Sequence, residues 1–117
     1  MKIIGCDALD RLRVLRAPET MRLSVALMRA RWWLETFSEL LAVRRLPFLP
    51  PHITVNPEEE VVFEWWREER KLTMYATRED LQYVRVWGVD ISDDMDHGLL
   101  DSTKKAESTW RWLLDGE

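Results

Sequence analysis

The chain has 117 residues, of which 46% are hydrophobic and 32% charged, with four glycines, five prolines and one cysteine. This is one domain's worth of chain, long enough to bury a core, and the composition excludes a collagen-like repeat, a low-complexity linker and a disordered acidic tail. The net charge of −4 is unevenly divided, with nine basic and five acidic residues in 1–55 and eight basic and sixteen acidic in 56–117; so acidic a second half repels phosphate and argues against general nucleic-acid binding.

Residues 7–16 read as a short helix, with Leu9, Leu12 and Leu15 three apart. The single cysteine, Cys6, leaves no internal disulfide or cysteine-based zinc cluster and reads as an ordinary thiol in a reducing cytoplasm. Pro18, Glu19 and Thr20 form a helix start, with proline in the first turn and an acid near the positive end of the dipole. From there Leu23, Leu27, Ala30, Leu34, Phe37 and Leu41 recur at helical spacing, and Ala26, Trp33 and Leu40 widen the stripe. The pattern predicts one long helix over 19–45, about 40 Å in length. Such a helix overhangs a small core, so Leu23, Leu27, Trp33 and Leu34 are expected to join two copies as a homodimer. It is not a membrane span, because Arg22, Arg29, Arg31, Glu35, Glu39, Arg44 and Arg45 interrupt it.

The prolines at 47, 50 and 51 divide the chain, and beyond them the apolar period becomes that of strands. Residues 51–55 are a short extended entry; 61–66, rich in β-branched and aromatic residues, are the clearest strand. Residues 71–76 and 81–87 follow, separated by short polar turns that favour hairpins over crossovers. Alternation assigns Val61, Phe63, Trp65, Leu72, Met74, Ala76, Val84 and Val86 to a core face beneath the long helix. The other face then carries Val62, Glu64, Trp66, Lys71, Thr73, Tyr75, Tyr83, Arg85 and Trp87, rings interleaved with charges. Residues 90–101 read as an acidic loop. Asp101 or Ser102 caps a final helix whose apolar positions are Ala106, Trp110, Leu113 and Leu114, with Trp112 off that stripe.

Little in this inventory points to catalysis. As a calcium loop, 90–101 has Met95 where the turn glycine belongs and Asp101 where glutamate is expected. His52 and His97 are the only histidines, lie on different connections and make no metal-ligand spacing. No serine sits in a nucleophile motif, and no glycine-rich phosphate loop is present. Neither a metal nor a cofactor is expected. Seven tryptophans are the compositional anomaly. On a strand, Trp65 and Trp66 must point to opposite faces; on a helix, Trp32 and Trp33 diverge by about 100°. Surplus Trp and Tyr beside Arg is the composition of interface hot spots, and Trp66, Tyr75, Tyr83, Arg85 and Trp87 are the expected partner-binding set.

Pro51, Ile53 and Val55, followed by Val61, Phe63, Glu64 and Trp65, form a pattern that resembles a family of small uncharacterised bacterial proteins. There a Pro-x-Ile or Pro-x-Val entry precedes a Val-x-Phe/Leu-Glu-Trp strand, with an amphipathic helix upstream, as over 21–46 here. Glu60 stands where the pattern has a turn glycine. The resemblance implies no activity and no functional residue.

The sequence therefore predicts a single α+β domain over 1–117. Its helical part covers 1–46, a three- or four-stranded antiparallel meander covers 51–96, and a short helix covers 101–115. The expected function is a non-catalytic, cytoplasmic protein-binding module, in the form of a regulator or inhibitor such as an antitoxin, immunity protein or anti-defence factor. The alternatives are a nucleic-acid-associated module using Arg22, Arg29, Arg31, Arg44 and Arg45, and a small hydrolase or metal-binding protein.

Overall fold

The computed structural model describes residues 21–90 and 92–116. Cys6, the expected helix over 7–16 and the helix start at Pro18, Glu19 and Thr20 lie outside the described residues. Helix α1 (Met21–Val43) leads through the prolines into strands β1 (His52–Val55), β2 (Val61–Arg67), β3 (Arg70–Ala76), β4 (Leu81–Val86) and β5 (Met95–Leu99), and helix α2 (Thr103–Asp115) follows. The strands form one antiparallel sheet in the order β1-β2-β3-β4-β5. The α+β class and the meander stand as expected, but the sheet has five strands rather than three or four. No helix among the described residues is long and apolar enough to cross a membrane.

The stripe read from the sequence buries Ala26, Ala30, Leu34, Phe37 and Leu41 of α1 against Val61, Phe63, Trp65, Leu72, Met74 and Ala76 of the sheet. Helix α2 joins α1 on that same face. Its Trp110 is fully buried and meets Phe37 at 5.2 Å and Trp65 at 5.1 Å between ring centroids, both edge-on. Two indoles also hold the proline segment down: Trp110 Nε1 donates to the Pro47 carbonyl (2.9 Å) and Trp65 Nε1 to that of Leu49 (2.7 Å). The final helix thus leaves the second sheet face to other residues.

The helix ends follow capping chemistry. Leu46 N donates to Leu41 O and Arg45 N to Ala42 O, a Schellman closure that puts Arg45 at φ 58° where glycine is usual. Ser102 caps α2 by accepting from Lys105 N, and Gly116, at φ 78°, closes it with a bond to Trp112 O. The last carbonyls of α2 are taken by the sheet. Arg67 Nε donates to Leu114 O (3.1 Å) and Arg70 Nε to Leu113 O (3.0 Å), placing two cations at the negative end of the helix.

Two expectations fail in the second half. The segment taken as an acidic loop contains β5. Its Asp, His and Gly have poor strand propensity, yet the strand is fixed by cross-strand partners. Arg85 lies opposite Asp96 and bonds it, and Tyr83 lies over Gly98, where an added Cβ would stand 3.1 Å from the ring. Strand β4 also has the opposite facing from that predicted. The register pairs Ala76 with Leu81, Met74 with Tyr83 and Leu72 with Arg85, so Leu81, Tyr83 and Arg85 face the helices while Val84 and Val86 do not. The four-residue turn sets this parity. Thr77 N donates to Asp80 O (2.9 Å), and Thr77 Oγ1 accepts from the Glu79 and Asp80 N–H groups (3.0 and 2.9 Å). Because β4 carries apolar side chains at both parities, alternation alone chose the wrong one.

Candidate protein-binding surface

The expected partner-binding set is split by the sheet. Tyr83 is buried on the helix side and Arg85 half-buried there. Tyr83 Oη and Arg85 Nε each donate to Asp96 Oδ2 at 3.1 Å. The Arg85 guanidinium lies 5.2 Å from the Trp112 ring centroid, and Trp112 meets Trp87 edge-on at 6.1 Å. This explains why Trp112, off the apolar stripe of its helix, is nevertheless buried. Burial of the Asp96 carboxyl works to raise its pKa, but the hydrogen bonds from Arg85 and Tyr83 and the Arg85 charge outweigh it and hold the group below its ordinary range. The cluster joins β4, β5 and α2 and is architectural.

Trp66 and Tyr75 are on the other face, which no helix among the described residues covers. Its centre, Val62 and Thr73, is buried, and Tyr75 is half-buried. Trp66 is the exception, 57% exposed. It is held rather than loose: Lys71 Nζ lies 5.1 Å from its ring centroid and pairs with Glu64 at 3.0 Å, while His52 stands 6.4 Å away on β1. Beside Trp66 is a hollow of about 320 Å³, walled by Leu49, Pro50, Pro51, His52 and Glu64. Burying the exposed part of such a ring removes a large apolar area from water at low side-chain entropy cost.

The residues expected at a dimer contact lie on the sheet side of α1. Leu34 is fully buried, Trp33 is nearly so, and Leu27 packs against the same core; Leu23 is half-buried. The width of the stripe that suggested a surplus is met instead by Phe48, which lies edge-on to Phe37 at 6.4 Å, and by Trp110. Trp33 Nε1 is buried without a hydrogen-bond partner among the described residues.

A second concavity was not legible in the sequence. A cleft of about 430 Å³ opens between α1, the end of β5 and the start of α2, walled chiefly by Trp32, Trp33, Leu81, Leu99 and Leu100. Trp32 and Leu99 are about half exposed at its mouth. The one available signal was Trp32, a large apolar residue off the helical stripe.

Several other polar and charged groups serve the structure. Among the described residues no group of three or more His, Cys, Asp or Glu side chains is placed to hold a metal. His52 and His97 sit on the two edge strands, β1 and β5. Asp90 and Asp94 close the β4–β5 turn, through Ser92 N to Asp90 Oδ1 (2.9 Å) and Asp90 N to Asp94 Oδ2 (3.1 Å). Of the arginines expected to meet nucleic acid, Arg29 donates to the Thr77 and Arg78 carbonyls, and Arg44, just beyond α1, pairs with Glu107. Comparison with protein-family models, curated proteins and solved structures finds no match for the chain.

Proposed function

We propose that the protein is a non-catalytic protein-binding module, a regulator or inhibitor of a partner protein of the antitoxin, immunity or anti-defence kind. Trp66 carries this reading. It is a largely exposed indole held in place by a cation above it, at the lip of a hollow, on a sheet face free of described helices. An aromatic anchor beside a concavity, ringed by His52, Glu64 and Lys71, has the make-up of an interface hot spot with a polar rim. The partner-binding set contracts accordingly to Trp66 and Tyr75, since Tyr83 and Arg85 serve the fold and Trp87 packs edge-on to Trp112 of α2.

The test is capture of partners from extracts of the native cells on immobilised wild type and Trp66→Ala, followed by titration of the recovered protein against both. The expected result is a protein partner whose affinity falls about thirtyfold or more with Trp66→Ala, the hot-spot scale of about 2 kcal/mol. Because the ring is exposed, folding stability should fall by less than about 1 kcal/mol. A partner that binds the variant as tightly as wild type would overturn the reading, as would recovery of nucleic acid with a steep salt dependence.

A further inference from the structure

Helix α1 carries two apolar lines, and the described fold buries one. Opposite the buried stripe, Met21, Met28, Trp32 and Val43 are 82%, 69%, 56% and 76% exposed, and Val25 between them is half-buried. At about 100° per residue, Met21, Val25, Met28, Trp32 and Val43 fall within roughly 60° of one another on the side away from the sheet. Single exposed apolar residues are ordinary; a row of them along one helix is a contact surface.

We propose that this outward line joins two copies of the chain, with α1 packed antiparallel to its counterpart about a two-fold axis at Trp32. The line is charged in opposite senses along its length. Arg22, Arg29 and Arg31 flank its first half, and Glu35 and Glu39 lie in its second. A parallel pairing sets like charges together; an antiparallel one sets each basic half on the other copy's acidic half. Centred at Trp32, it places Met21 against Val43 of the second copy and the two Trp32 rings against each other. Arg31 and Glu35 lie on the same flank of the helix, so the two-fold brings Arg31 of each copy to Glu35 of the other. Both are exposed, and neither forms an ion pair among the described residues. The 430 Å³ apolar cleft opens beside Trp32, so each copy offers both an exposed indole and the concavity next to it. Such a self-complementary patch is what an isologous interface requires. The acidic half of the line disfavours the other surface an apolar–basic helix suits, an anionic membrane.

Sedimentation equilibrium on the full chain, up to about 100 µM, tests this. The wild type should behave as a dimer of the 14.0 kDa chain. Met28→Glu should weaken the dimer at least tenfold, with an unchanged far-UV spectrum because Met28 leaves no core contact. Arg31→Glu should weaken it to a similar extent by setting acid against acid, and Arg31→Glu/Glu35→Arg should restore it to within about threefold of wild type. A wild type that is monomeric throughout overturns the proposal, as does a dimer indifferent to Met28→Glu. A double variant no tighter than Arg31→Glu overturns the antiparallel arrangement, and a monomer that instead binds anionic vesicles assigns the line to a membrane.

Discussion

Three buried tryptophans, Trp33, Trp65 and Trp110, provide an internal control on the cost of an unmade hydrogen bond. Each is at least nine-tenths buried, yet among the described residues only Trp65 and Trp110 find an acceptor for their N–H, at Leu49 and Pro47. Replacing any of them by phenylalanine removes the same part of the ring and leaves a similar void. Full truncation of a buried aromatic costs about 3–5 kcal/mol, so this smaller step should cost about 1–2 kcal/mol in all three. The polar terms differ in sign. Trp65→Phe and Trp110→Phe each lose a hydrogen bond, adding about 1 kcal/mol, and release the proline segment between α1 and β1. Trp33→Phe removes a buried donor that has no acceptor among the described residues, returning about 1–3 kcal/mol of desolvation cost. The expected totals are about 2–3 kcal/mol for Trp65→Phe and Trp110→Phe, and near zero for Trp33→Phe. Urea unfolding followed by far-UV circular dichroism measures all three without relying on indole fluorescence. A Trp33→Phe variant as unstable as Trp110→Phe would refute the argument, because it would mean the Trp33 N–H is paired.

Asp96 titrates below its ordinary value in the folded protein, so the stability it contributes is present above the unfolded pKa of about 3.9 and is lost as pH falls through the lower folded value. Asp96→Asn should therefore flatten the acid limb of a stability–pH curve below about pH 4 and cost only about 1 kcal/mol at neutral pH, since Asp96 is part exposed. Gly98→Ala should destabilise by about 1 kcal/mol in urea unfolding, because the new methyl meets the Tyr83 ring at 3.1 Å. Glu68 turns the β2–β3 hairpin at φ 58°, so Glu68→Gly should raise stability by about 0.5–1 kcal/mol in the same assay.

What the sequence disclosed follows from where side-chain period is decisive. The helical stripe of α1 survives any error in its ends, β3 has its aliphatic side chains on one parity, and in β2 the charge of Glu64 marks the outer face. The facing of β4 was ambiguous, because Leu81 and Tyr83 compete with Val84 and Val86, and the deciding information was the hydroxyl chemistry of Thr77 in the preceding turn. Strand β5 was hidden for a related reason. Met-Asp-His-Gly-Leu has neither strand propensity nor alternation, and it is held by Arg85 and Tyr83, long-range partners that local pattern cannot supply. Of the candidate surface, Trp66 was legible because adjacent tryptophans on a strand must diverge and Trp65 had a core to enter. Trp32 and Trp33 diverge for the same reason on a helix. The cleft beside Trp32 needed the end of β5 and the start of α2 to converge, which no local spacing records.

The two surfaces have a joint consequence. The α1 line faces away from the sheet on one side of the molecule, and Trp66 stands on the far side of the sheet. A dimer formed through α1 therefore buries neither Trp66 and presents two of them, directed away from the two-fold axis. Linked sites of this kind gain avidity of about 10²–10⁴ where partners are clustered, without any new contact. On a surface densely coated with the partner, wild type should dissociate about a hundredfold more slowly than Met28→Glu. Against the same partner free in solution and in monovalent form, the two should bind equally, while Trp66→Ala should weaken both formats. If Met28→Glu weakens monovalent binding in solution, the α1 line is itself the partner site. The dimer then competes with the partner, and raising the protein concentration would suppress binding rather than strengthen it.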